Sequence, residues 1–124
     1  MARTYRIQIV EDQYFVALDF EQALTAAGFE CTDLASSGEQ AVELAARDRP
    51  DLVLMDIQLN GDPDGVDTAR RILQGCGARC IFCSAHIDSE TRKRAESVRP
   101  LAYLEKPFSS GQLVEVVRRV TSSL

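Results

Sequence analysis

The chain has 124 residues, enough for one ordinary domain with a sizeable core and too few for two. Hydrophobic residues make up 45% of it, and 14 basic against 19 acidic residues give a formal net charge of −5. A duplex-DNA binder needs a positive surface to neutralise phosphates, so this balance excludes direct nucleic-acid binding. Met1-Ala2-Arg3-Thr4 runs straight into alternation without an apolar leader segment, and runs such as Leu52-Val53-Leu54-Met55 are too short to span a bilayer. A cytoplasmic protein with no membrane contact is expected. Its four cysteines, Cys31, Cys76, Cys80 and Cys83, read as reduced thiols, since a chain of this size needs no disulfide staple.

Tyr5-Arg6-Ile7-Gln8-Ile9-Val10 alternates as a strand does and ends on the acidic pair Glu11-Asp12. Residues 14–27 read as a helix with Leu18, Phe20, Ala23, Leu24 and Ala27 inward, stopped by Gly28. A weaker second strand spans residues 30–35. Ser37-Gly38-Glu39-Gln40 reads as a capping box opening a helix through Ala41, Val42, Leu44 and Ala45, which Arg49-Pro50 ends. The apolar run from Asp51 to Asp56 suits a central strand buried on both faces, as a parallel sheet requires. After the loop Asn60-Gly61-Asp62-Pro63-Asp64-Gly65, a helix carries Val66, Ala69, Ile72 and Leu73.

Cys80-Ile81-Phe82-Cys83-Ser84 reads as a fourth buried strand, and residues 88–98 as a mostly polar helix whose charged run is a solvated face. Leu101-Ala102-Tyr103-Leu104 forms a fifth strand, followed by Lys106-Pro107. Ser109 to Gln112 is a second capping box, with Leu113, Val116, Val117 and Val120 at helical spacing behind it. Five strands alternating with five helices define an α/β domain with a parallel sheet and right-handed crossovers. Ligands of such sheets bind beyond the carboxyl ends of the strands, where the strand order switches. Glu11-Asp12, Asp56, Ser84 and Lys106 all fall at that rim.

In this ordered set the chain resembles the receiver domains of two-component response regulators, over essentially its whole length. That family carries an acidic pair after the first strand, Asp after the third, Ser or Thr after the fourth and Lys-Pro after the fifth. The resemblance implies a flavodoxin-like, doubly wound (βα)5 fold with strand order 2-1-3-4-5, and one receiver domain over residues 1–124 with no output domain. It implies that Asp56 accepts a phosphoryl group from a sensor histidine kinase or a histidine phosphotransfer protein. Asp12, Asp56 and the backbone carbonyl of Gln58 would hold Mg²⁺, with Mn²⁺ as a substitute and Glu11 acting through metal-bound water. Hard oxygen ligands and a shared phosphate shell suit that ion. Lys106 would offset charge from the other side, and Ser84 would hydrogen-bond a phosphoryl oxygen. Tyr103 would turn inward behind it as part of the switch. The α4-β5-α5 face would bind an output partner that the sequence does not name.

The Lys106-Pro107 bond is expected to be cis. The loop after Asp56 departs from the common Met-Pro form, having Leu59-Asn60 and one extra residue before Asp64-Gly65, while Gln58 and His86 flank the site. Other chemistries fit less well. A phosphatase of the haloacid-dehalogenase type needs an acid two residues after its nucleophilic Asp, and Gln58 cannot serve. A flavin module wants a phosphate-cradling loop after the first strand, where Glu11-Asp12 would repel phosphate. Cys76-x₃-Cys80-x₂-Cys83 has iron–sulfur spacing, but Cys80 and Cys83 point to opposite faces of a strand, so they read as core. His86 reads as a surface loop residue.

Overall fold

A computed structural model describes residues 3–124; Met1 and Ala2, where the absence of a leader segment was read, lie outside them. Ten elements alternate strictly: β1 (Arg6–Val10), α1 (Tyr14–Ala26), β2 (Glu30–Cys31), α2 (Gly38–Asp48), β3 (Leu52–Asp56), α3 (Gly65–Cys76), β4 (Arg79–Ser84), α4 (Ser89–Glu96), β5 (Ala102–Glu105) and α5 (Ser110–Thr121). The strands form one parallel sheet in the order β2-β1-β3-β4-β5, the doubly wound arrangement expected from the sequence. Among the described residues no helix is long and apolar enough to cross a membrane.

The sheet divides the core in two by strand alternation. On one side Val53, Met55, Cys80 and Phe82 pack with Ala41 and Ala45 of α2, Val66, Ala69 and Ile72 of α3, and Ala95 of α4. On the other, Ile7, Ile9, Leu52, Leu54, Ile81 and Cys83 pack with Ala17 and Leu24 of α1 and Leu113, Val117 and Val120 of α5. β3 is buried at every position, which explains its unbroken apolar run. Each such side chain contributes about 1.5–3 kcal/mol by leaving water. Cys80 and Cys83 fall on opposite sides of the sheet and all four cysteines are free.

Three local expectations need correction. The second strand is only Glu30–Cys31, followed by an isolated bridge between Val10 and Ala35. Arg6 pairs with Glu30 at an offset of 24, whereas Val10 meets Ala35 at 25, so one extra residue bulges out between the two pairings. In α1 only Ala17 and Leu24 are fully buried; Leu18, Phe20, Ala23 and Ala27 are half-buried. Phe20 packs against the core that α1 shares with Leu113 and Val117 of α5. The box at Ser37 is incomplete. The Ser37 hydroxyl accepts from the Gln40 N–H at 3.2 Å, but the Gln40 side chain accepts from the N–H of Ser36, one residue early. The box at Ser109 and Gln112 is complete. Both Lys106-Pro107 and Asp62-Pro63 are cis; the second was not anticipated.

Burial also sets the chemistry of the thiols. It pushes Cys31 up to about 11 and Cys80 up to about 12, and raises Cys83 as well. The thiolate is the nucleophile, so these three are inert near neutrality. Cys76, half-buried at the end of α3, should therefore be the first residue alkylated by iodoacetamide at pH 7.5, with Cys80 and Cys83 labelled only on unfolding. Peptide mass spectrometry reads the order; labelling of Cys80 or Cys83 in the folded protein at the rate of Cys76 would contradict this packing.

Candidate functional site

Parallel pairing aligns the carboxyl ends of the strands, and the register fixes which residues meet there. Val10 lies opposite Met55, Asp56 opposite Cys83, and Ser84 opposite Glu105. Backbone hydrogen bonds carry the alignment one residue further: the Ile57 N–H donates to Cys83 O at 3.0 Å and the Lys106 N–H to Ser84 O at 2.7 Å. The ends of four strands are thereby locked into one rim.

Carboxylate oxygens of Glu11, Asp12 and Asp56 all lie within 4.8 Å of one another there. Glu11 and Asp56 are 3% and 8% exposed, so the repulsion is only weakly screened by solvent. Lys106 answers it. Its Nζ lies 2.7 Å from Glu11 Oε1 and 3.7 Å from Asp56 Oδ2. Burial alone would lower the pKa of this ammonium, but the Glu11 hydrogen bond and the charge of Asp56 outweigh it and raise it. The ammonium thus stands nearer Glu11 than Asp56.

Backbone amides and side chains of neighbouring loops fix the remaining oxygens. The Gln58 N–H donates to Asp56 Oδ1 at 2.9 Å, the Gln13 N–H to Glu11 Oε2 at 3.2 Å, and Asn60 Nδ2 to Asp12 Oδ2 at 2.7 Å. Behind Asp56, α3 begins so close to β3 that a Cβ on Gly65 would stand 2.4 Å from the Asp56 carbonyl oxygen. Only glycine fits there, and Asp64 caps the helix by accepting from the Asp67 N–H at 2.9 Å.

Ser84 and Tyr103 occupy the next layer. The Ser84 hydroxyl donates to His86 O at 2.7 Å and accepts from the His86 N–H at 3.1 Å, turned to its own loop. Gln58 Nε2 donates to the same carbonyl at 3.0 Å, joining the loops after β3 and β4. The half-buried Tyr103 ring stacks on Phe82 at 6.1 Å, with the Arg92 guanidinium 4.3 Å from its centroid. Among the described residues its buried hydroxyl has no hydrogen-bond partner, and a cavity of 330 Å³ lies between Ser84, Ile87, Arg92 and Tyr103. His86 is exposed, as expected of a loop residue.

Sequence reasoning passed over two features of the rim. Tyr14 and Phe15, at the start of α1, are 63% and 79% exposed and meet edge to face at 5.8 Å. Their places outside the apolar stripe of α1 were the available signal. The contact of Asn60 with Asp12 left none, because it depends on how the loop folds back.

The comparisons agree with this geometry. The response regulator receiver domain family matches residues 7–118, and the chain belongs to it. It is 33% identical over 117 residues to the transcriptional regulatory protein PdtaR of Mycobacterium tuberculosis, covering 94% of this chain but 57% of that one. The chain thus spans little more than half the length of that relative. It is 30% identical to the chemotaxis protein CheY of Thermotoga maritima, covering 94% of this chain and 97% of the relative. Among solved structures, the receiver domain of a modulated diguanylate cyclase from Desulfovibrio desulfuricans G20 superposes with a TM-score of 0.90 at 35% identity, covering 98% of this chain and 96% of that one. A receiver domain of two-component signalling is a regulatory module.

The Lys106 contact has a pH signature. A raised folded-state pKa means the pair's stabilisation is fully present below the ordinary lysine value of 10.5 and is lost as pH rises through the folded value. Lys106→Met should cost about 2 kcal/mol in urea unfolding at pH 8, because a buried carboxylate loses its counter-charge. The gap to the wild type should narrow only as pH rises past the ordinary lysine value, through the raised folded-state one. A gap unchanged by pH would show that the ammonium does not carry the contact.

Proposed function

We propose that Asp56 accepts a phosphoryl group from the phosphohistidine of a sensor histidine kinase or histidine phosphotransfer protein, at a site that also binds Mg²⁺. The observation that carries this reading is the convergence of Glu11, Asp12 and Asp56 within 4.8 Å, with Lys106 as their cation. An all-oxygen donor set at a partly open rim fits Mg²⁺, which takes few protein carboxylates and keeps its waters. Asp12, Asp56 and the backbone carbonyl of Gln58 would hold the ion, and Glu11 would reach it through water. Once bound, it supplies charge neutralisation between an anionic nucleophile and an anionic phosphoryl group.

The chain's own residues do the rest. A carboxylate oxygen of Asp56 attacks phosphorus, the P–N bond to the donor imidazole breaks, and the leaving ring keeps that electron pair and takes up a proton. The Gln58 N–H holds Asp56 Oδ1, which leaves its rotamer defined before a donor arrives. Lys106, 3.7 Å from Asp56 Oδ2, can follow the charge onto the phosphoryl oxygens. Ser84 would exchange its bond to His86 O for one to the phosphoryl group, freeing the loop that precedes α4. Tyr103, whose hydroxyl has no partner to lose, would then shift within the adjoining cavity.

The helix beyond that loop is built to respond. Within α4 only Ala95 is buried, and the helix's guanidinium ties are Arg94, 3.1 Å from Asp64, and Arg92, 4.3 Å from the centroid of the Tyr103 ring. A helix held by so little apolar contact opens at low cost. Its face with β5 and α5 would present the switched surface to an output partner.

Incubation with Mg²⁺ and a small-molecule phosphodonor should add one phosphoryl mass to the wild type and none to Asp56→Asn, read by intact-mass spectrometry. In the same samples α4 amides should exchange faster than those of α5 and change on phosphorylation. Normal labelling of the mutant would overturn the nucleophile, and equal, unresponsive exchange in both helices would overturn the switch.

A further inference from the structure

The three carboxylates are not equally supported. Glu11 has the Lys106 ammonium at 2.7 Å and the Gln13 N–H at 3.2 Å. Asp56 has the Gln58 N–H at 2.9 Å and Lys106 at 3.7 Å. Asp12 is reached by neither the ammonium nor a backbone amide; among the described residues its one hydrogen bond comes from Asn60, at 2.7 Å to Oδ2. The orientation of that amide is settled by its partner, since a carboxylate only accepts and the NH₂ end must face it. Gly61, with φ of 94°, turns the chain directly after Asn60, and its left-handed backbone is one that few other residues would adopt.

Like-charge repulsion acts on Asp12 from two sides, and its half-exposed side chain is free to relieve it by rotating into solvent. A neutral donor on Oδ2 opposes that rotation, and among the described residues Oδ1 carries no hydrogen bond. Asn60 adds no charge of its own, so it restrains the carboxylate without weakening the negative potential that a cation needs. Hydrogen bonds to ligating carboxylates act in this way at metal sites generally.

We infer that Asn60 is a positioning residue for the divalent-cation site, holding the Asp12 carboxylate in its ligating rotamer from the loop after β3. The inference rests on the reading of Glu11, Asp12 and Asp56 as a metal site, and its test separates the two. Mn²⁺ binding to the whole chain is followed by loss of the free-ion electron paramagnetic resonance signal, for the wild type, Asn60→Ala, Asn60→Gln, Asp12→Asn and the Asp12→Asn/Asn60→Ala pair. Asn60→Ala should weaken Mn²⁺ binding about tenfold while its metal-free melting curve stays close to that of the wild type. Asn60→Gln, which keeps the amide on a longer stem, should recover part of the loss. In the Asp12→Asn background, removing Asn60 should cost nothing more, because the residue acts through Asp12. Wild-type Mn²⁺ affinity in folded Asn60→Ala, or a full additive loss in the double variant, overturns the role of Asn60 and leaves the metal site standing. Wild-type affinity in Asp12→Asn overturns the metal site itself.

Discussion

Three crowded carboxylates, two of them paired with one ammonium, are the constraint on which the rim of this domain depends. No isolated segment would adopt that arrangement, since Glu11, Asp12 and Asp56 repel one another within 4.8 Å. The parallel sheet imposes it, because β1 and β3 are hydrogen-bonded neighbours whose acidic ends fall side by side. The hydrophobic burial of β3 and its neighbours supplies the free energy that holds the charges together. Lys106 limits the penalty, and it does so from the end of β5, two strands from β3 and three from β1, because the Lys106 N–H is fastened to Ser84 O. On the proposed reading, a site assembled under repulsion is one that a cation, and the phosphoryl group it accompanies, would relieve.

The same architecture bears on the switch proposed for one flank of the rim. The loops after β3 and β4 meet at the His86 carbonyl, which accepts from both Ser84 and Gln58. α4 follows directly and is poor in apolar anchors, whereas α5 buries Leu113, Val117 and Val120. Its guanidinium contacts run to Asp64 at the head of α3 and over the Tyr103 ring. These contacts are what the proposed switch through α4 and β5 would have to rearrange.

Much of this was legible in the sequence. The unbroken run from Leu52 to Met55 announces a strand buried on both faces, and the ordered acids and Lys106 place the site at one sheet edge. The Ser109–Gln112 box is local, so its residues state their own geometry. What stayed hidden depends on contacts distant in sequence. The bulge that shortens β2 arises from a register shift against β1, which no local pattern records. Phe20 stacks on Phe108 at 5.2 Å and is half-exposed, although its spacing is that of a core residue. The preference of Lys106 for Glu11 over Asp56 is a matter of about an ångström, beyond what residue order can tell. Asn60 was visible only as a departure in the loop, and its bond to Asp12 requires the folded turn at Gly61.

The central claim, that repelling carboxylates are held together in order to share a cation, is tested most directly by thermal melts of the wild type and Asp12→Asn in EDTA and in Mg²⁺. Ligand that binds only the folded state adds about 1.4 kcal/mol at ten times its Kd. Asp12→Asn removes one repelling charge and one ligand, so it should melt higher than the wild type in EDTA and gain much less from Mg²⁺. A variant that melts lower in EDTA yet keeps the full Mg²⁺ response would contradict the account.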